Sequence, residues 1–171
     1  QQAGKNPSIT GIDISKFALN SAAKQNKGIS YAVGSVFHLP VADHSCSMVL
    51  NLFAPYCGEE FRRVLAPEGY LFLVIPGENH LWELKQAVYD QPYRNQVKDY
   101  GLEGFALEQA VEVKDTITLQ SGEDIKNVFS MTPYYYKTSA ENAARLEALD
   151  SLTTQIQFEV LIYRLSESEK E

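Results

Sequence analysis

Cysteine is scarce in this chain. Cys46 and Cys57 are the only two among 171 residues, and neither has a Cys-x-x-Cys or His-x-x-His partner at ligand spacing, so no metal site is readable. Cys46 sits in an apolar run and reads as a small buried hydrophobe. Both cysteines suit a reducing compartment, and a cytoplasmic location is expected. Basic residues are also in short supply. Fifteen Lys and Arg against 22 Asp and Glu leave a net charge of −7, which disfavours strong autonomous binding of nucleic acid through its phosphates. No apolar run approaches the roughly 18 residues that span a bilayer, and the start lacks a basic-then-apolar leader, so no membrane partner is expected. Internal repeats and low-complexity linkers are missing too.

What is present is an ordinary globular composition, 44% hydrophobic and 11% aromatic, enough to build a core. The expected organisation is one domain over 1–165 followed by a charged tail over 166–171. Residues 8–14 read as a strand. Ser15 is a plausible N-cap for a helix over 16–25, and 29–33 is a second strand. A turn-rich stretch over 34–45 leads to an apolar strand over 46–52. A short helix over 59–65 is stopped by Ala66-Pro67-Glu68-Gly69, and 70–75 is a strand apolar on both faces. Leu81, Leu84 and Val88 have helical spacing and predict a helix over 80–90. Residues 93–103 read as a polar loop. An extended segment follows over 105–119, broken at most once. Helices over 123–129, opened by Ser121 and Asp124, and over 139–149, with Glu141 and Arg145 four apart, precede a last strand over 156–162. This order predicts an α/β fold with a mostly parallel sheet and an antiparallel C-terminal hairpin.

Three constellations carry chemistry. Asp13 ends the first strand, where an acid can accept hydrogen bonds from both hydroxyls of a ribose, or can simply cap the strand end. Gly34-Ser35-Val36, with Leu39-Pro40 beyond, either lets backbone amides approach a flat ring or forms a surface turn. Asn51-Leu52-Phe53-Ala54-Pro55-Tyr56 ends the third strand and makes either a rigid polar and aromatic rim or a packed connection. Spacing alone leaves each pair open.

Taken together, these features resemble a class I S-adenosylmethionine-dependent methyltransferase from its second strand onward. Gly11-Ile12-Asp13-Ile14-Ser15-Lys16, Leu39-Pro40, Ala54-Pro55, Pro76-Gly77 with His80-Leu81-x-Glu83-Leu84-Lys85, Leu102-Glu103-Gly104-Phe105 and Met131-Thr132-Pro133 are similar, in order, to the 23S ribosomal RNA guanine-N1 methyltransferases. The resemblance covers nearly the whole chain and implies a Rossmann-like fold, S-adenosylmethionine as cofactor and an rRNA hairpin as partner. Two family features have no counterpart here. These are an N-terminal zinc domain and a first strand with its glycine-rich loop, since only twelve residues precede Asp13. The chain therefore reads as a C-terminal piece of the catalytic domain, expected to bind the cofactor weakly or not at all and to be inactive alone.

Carried over residue by residue, Asp13 with Ile14 beside it, Ser35, Val36 and Asn51 match the cofactor side. Ser35 stands where many methyltransferases place an Asp toward the adenine amine, which shifts that contact to the Val36 amide. Phe53, Pro55 and Glu83 fall on the substrate side, and His80 and Tyr56 are the candidate catalytic residues. The proton on guanine N1 must leave as methyl arrives, and His80, with Glu83 three residues on, is the candidate base. Tyr56 or one of Tyr134, Tyr135 and Tyr136 is placed to stack a target base outside its helix. A small-molecule methyltransferase and a non-catalytic interaction piece remain the alternatives. The missing central strand also implies an unpaired sheet edge and hence self-association.

Overall fold

A computed structural model describes residues 8–96 and 99–166. Strand β1 (Thr10–Asp13) runs into helix α1 (Lys16–Gln25), and the Ser15 hydroxyl accepts from Ala18 N at 3.2 Å, the expected N-cap. Strand β2 (Ser30–Val33) lies parallel to β1, with Thr10 opposite Ser30 and Asp13 opposite Val33. Next come β3 (Cys46–Leu52), α2 (Gly58–Val64), β4 (Leu65–Pro76), α3 (Trp82–Val88) and β5 (Phe105–Leu119). Helix α4 (Gly122–Ser130), a 3₁₀ turn over Tyr135–Lys137, α5 (Ala140–Glu147) and β6 (Leu152–Leu165) complete the chain.

Two sheets result among the described residues, one ordered β1-β2 and one ordered β3-β4-β6-β5. Each break in parallelism can be read from side chains and backbone. Thr118 Oγ1 lies 2.9 Å from Thr153 Oγ1, while Ser166 N donates to Gly104 O, so β6 runs opposite to β5. Gly77 N donates to Gln157 O, and Arg164 bonds the Tyr70 hydroxyl, so β6 also runs opposite to β4. The antiparallel C-terminal pair is therefore present, joined through α4 and α5 rather than a tight turn. Its last strand sits inside the sheet, and β5 forms the edge.

The chain divides into two compact units, one over 1–71, 102–106 and 164–171, the other over 72–101 and 107–163. In the first, Phe61, Val64, Leu65 and Leu71 are buried. In the second, α3, α4 and α5 bury Leu84, Val88, Ile125, Phe129 and Leu146 in one cluster with Leu119. The hydroxyls of Ser121 and Ser139 accept from Asp124 N and Asn142 N, so both expected helix starts are capped as read.

Several local readings change. Ala66-Pro67-Glu68-Gly69 is not a separate turn; it lies within β4, which starts directly at the C-cap of α2 and bends at Glu68, whose φ is 61°. Cys46 is half-buried rather than fully buried. Helix α3 starts at Trp82, not His80, because Leu81 is left-handed, with φ 54°. Arg145 pairs with Asp90 at 2.7 Å, a partner from outside its own helix.

Candidate functional site

In the first unit, the parallel register brings the carboxyl ends of β1 and β2 side by side, and Gly34 N donates to Asp13 O at 3.1 Å. That is the end of the strands where ligands sit in open α/β sheets. Asp13 Oδ1 accepts from Ser15 N at 2.7 Å and so shapes the entry to α1, while Oδ2 has no partner among the described residues. One carboxylate oxygen thus builds the turn, and the other points a bare acceptor toward solvent. Ile14 and Phe17, next to it, are exposed apolar side chains.

Ser35 follows Gly34 across the strand end. Its hydroxyl accepts from Phe37 N at 3.2 Å, and its carbonyl from His38 N, so the side chain closes its own turn. The Val36 amide donates to no group among the described residues. Gly34 is required here because a Cβ would lie 2.8 Å from Pro40 Cδ and 3.1 Å from Ile12 Cγ2. The prolyl ring of Leu39-Pro40 therefore packs directly on the backbone that presents Val36.

At the end of β3 the Asn51 side chain is buried and occupied. Its Nδ2 donates to Pro55 O at 3.1 Å, and its Oδ1 accepts from Ala54 N at 3.3 Å. Both ends of the Asn51 amide thus close the 51–55 turn. That turn holds Phe53 in the left-handed region, φ 52°, with its side chain exposed. Strain of this kind at a β-strand's carboxyl end costs of order 1 kcal/mol or more and collects at functional positions. Pro55 is exposed beside it. The Tyr56 ring meets Phe61 edge-on at 5.5 Å and packs over Gly58, where a Cβ would lie 2.7 Å from the phenol oxygen. Burial raises the Tyr56 pKa above its usual value, so at neutral pH it is a protonated phenol and not a base.

His80 and Glu83 belong to the second unit. The His80 ring lies 4.8 Å from that of Phe158, and Nδ1 accepts from Gln157 N at 3.3 Å. Burial, and secondarily the charge of Lys85, lowers its pKa to about 4. The imidazole is therefore neutral at pH 7 with its proton on Nε2, and its one basic lone pair already receives the Gln157 amide. Glu83 Oε2 accepts from Gln155 N at 2.8 Å and Thr154 Oγ1 at 3.0 Å, and Oε1 accepts from Gln155 Nε2 at 3.0 Å. Although burial pushes the other way, these bonds hold its carboxyl below the usual range. Glu83 ties α3 to β6 through these bonds.

The residue that sequence reasoning passed over is Lys85. It is 2% exposed, and Nζ donates to Asn95 Oδ1 at 2.6 Å and Tyr93 O at 3.2 Å, with the rings of Tyr93 and Tyr134 at 4.7 and 5.6 Å. Asn95 in turn donates through Nδ2 to Gly77 O and through its backbone N to Glu78 O. Gln157 holds the other side of the same loop, receiving Gly77 N and Asn79 N and donating to Glu112. A lysine inside the His80-Leu81-x-Glu83-Leu84-Lys85 motif was the available signal, but nothing in its spacing says that it is buried. No group of three or more His, Cys, Asp or Glu able to hold a metal occurs among the described residues. No helix there is long and apolar enough to cross a membrane.

Comparison with known proteins accounts for this arrangement. A family model described as a methyltransferase domain matches residues 1–73. A Bacillus subtilis protein named 23S rRNA (guanine-N(1)-)-methyltransferase YxjB is 31% identical over 165 residues, 94% of this chain and 58% of that protein. The 23S rRNA (guanine(748)-N(1))-methyltransferase of Streptomyces fradiae is 42% identical over 78 residues, 45% of this chain and 28% of that protein. The chain thus spans well under two thirds of the length of the curated relatives it matches. Among solved structures, a Bacillus halodurans protein described as a methyltransferase superposes with a TM-score of 0.58 at 15% identity, covering 94% of this chain and 84% of that one. The YcgJ protein of Bacillus subtilis gives the same score and identity over 94% and 83%. The chain has the class I methyltransferase fold, carries a match to a methyltransferase-domain family model over residues 1–73, and is similar to curated proteins named 23S rRNA (guanine-N1-)-methyltransferase.

Proposed function

We propose that the intact protein transfers a methyl group from S-adenosylmethionine to N1 of a guanine in a 23S rRNA hairpin, in the cytoplasm. The observation that carries the cofactor part is the pairing of a bare carboxylate oxygen on Asp13 with an unpartnered amide on Val36, at the adjacent carboxyl ends of two parallel strands. That pairing fits a ribose and the edge of an adenine, with Ile14 as apolar cover. The cofactor supplies a methyl group on a positively charged sulfur. The residues of this chain bind and orient. Phe53 and Pro55, carried on the strained turn that Asn51 closes, form an apolar rim for the target base, and the protonated Tyr56 lies behind them. Alignment of nitrogen, methyl and sulfur is then the main contribution of the site. As the methyl moves to N1, sulfur leaves as neutral S-adenosylhomocysteine and the guanine N1 proton is released to water, since the Tyr56 phenol is itself protonated.

The expected result is methylation at guanine N1 of a 23S rRNA hairpin transcript by the intact protein, read by mass spectrometry of the digested RNA. Activity confined to small metabolites, which the net charge of −7 would suit, overturns the RNA reading. Residues 1–171 alone supply ribose and adenine contacts but no glycine-rich loop, and are expected to bind the cofactor weakly or not at all.

Self-association of the 171-residue chain is part of the same reading. Strand β3 ends its sheet and exposes Met48 (56%), Leu50 (57%) and Leu52 (54%), three residues on one face, and β1 has no strand on its second edge among the described residues. Open apolar edges of this kind recruit further strands. Light scattering is expected to show dimers or larger species, and a strict monomer at tens of micromolar would count against it.

A further inference from the structure

The loop between β2 and β3 carries Ser35, Val36 and Leu39, and its geometry is imposed from α2. Arg63 Nη2 donates to Leu39 O at 3.0 Å, and Nη1 to Val41 O at 2.8 Å and Asp43 Oδ1 at 2.6 Å. Glu60 holds the guanidinium from behind, Oε1 receiving Arg63 Nε at 2.8 Å and Oε2 receiving Nη2 at 2.7 Å. Glu60 Oε2 also accepts the Leu39 amide at 2.7 Å. Both backbone groups of Leu39 are thus fixed by one bidentate pair, and His44 N closes the far end of the loop on Arg63 O at 2.8 Å. A planar guanidinium that meets five acceptor atoms on four residues fixes a loop in a way that a point charge on a flexible stem does not. These bonds lower the Glu60 pKa to about 2, so the pair stays ionised throughout the physiological range.

From this geometry we infer that Arg63 and Glu60 are positioning residues for the adenine end of the cofactor site: they set Leu39 and, through Pro40 packed on Gly34, the Val36 amide. Neither side chain needs to touch the cofactor. The coupling runs through Leu39-Pro40, because the Pro40 ring packs so close over Gly34 that an added Cβ there would lie 2.8 Å from Pro40 Cδ, and a shift of the loop therefore reaches the backbone that presents Val36. This inference rests on the proposed use of S-adenosylmethionine.

The test is steady-state kinetics of the intact protein with a 23S rRNA hairpin transcript. Arg63→Met keeps the aliphatic stem and removes all five hydrogen bonds. It is expected to raise KM for S-adenosylmethionine roughly tenfold, the factor equal to about 1.4 kcal/mol, while KM for RNA and kcat at saturating cofactor stay within about twofold. Glu60→Gln keeps an acceptor for the Leu39 amide and is expected to give a smaller rise, about threefold. It also carries the test if Arg63→Met does not fold. A merely structural role would lower the active fraction, so that Vmax falls with both KM values unchanged, and that result overturns the inference. So does a rise in KM for RNA alone. If the wild-type protein neither binds nor consumes S-adenosylmethionine, the functional reading itself fails, and this inference falls with it.

Discussion

Replacing Asp13 by alanine is expected to weaken S-adenosylmethionine binding by the intact protein about a hundredfold. A ribose offers two hydroxyl donors, and each hydrogen bond to an ionised acceptor contributes on the order of 1.5–3 kcal/mol. Loss of about 3 kcal/mol corresponds to two decades of affinity. Asp13→Asn retains an oxygen for Ser15 N but loses the charge and one acceptor, so a drop of about tenfold is expected. The fold is expected to survive both changes, because Asp13 is exposed and the Ser15 hydroxyl still caps α1. Calorimetric titration with S-adenosylhomocysteine, with the unfolding midpoint followed in parallel, checks both parts. Unchanged affinity in Asp13→Ala would remove the carboxylate from the cofactor site. Unfolding by either variant would reduce it to a strand-end cap.

The second large effect is on stability. Lys85→Ala empties a fully enclosed site in the second unit and leaves Asn95 Oδ1 and Tyr93 O without their ammonium donor. Truncating a long buried stem and orphaning two acceptors costs about 3 kcal/mol, or roughly 6–12 °C in the unfolding midpoint of a chain this size. Lys85→Met keeps the stem and loses only the bonds and the cation–π contacts, so its expected loss is about half as large. The two variants separate packing from hydrogen bonding. Because Asn95 links Lys85 to the Gly77 carbonyl, amide exchange at Asn95 and Gly77 is expected to quicken in both. Equal stability of wild type and Lys85→Ala would show that the buried ammonium is a net cost that its partners only offset.

Much of the strand-end geometry around β1 and β2 was legible because it rests on neighbours in sequence. Asp13, Ser15, Gly34 and Val36 lie within a few residues of strand ends, and parallel pairing of β1 and β2 makes them neighbours in space. Ser15, Ser121 and Ser139 were readable as helix caps for the same reason, each side chain reaching an amide three residues ahead. The Asn51 side-chain bonds to Ala54 N and Pro55 O were not legible, because they depend on a left-handed Phe53 that no propensity signals. The start of α3 was misread at Leu81, whose apolar spacing suits a helix but whose amide instead donates to Gln155 O.

The sequence by itself determined the order of strands and helices, the acid at the end of β1, the glycine turn after β2, and the family that this combination resembles. Each follows from periodicity, capping or motif order within short windows of chain. Only the tertiary structure decided what His80, Glu83 and Lys85 do. Their partners come from β6, more than seventy residues away, and from the loop that carries Tyr93 and Asn95. Desolvation and hydrogen bonding change a side chain's charge and basicity. Here they keep the His80 imidazole neutral with Nδ1 accepting the Gln157 amide, and hold the Glu83 carboxylate against β6.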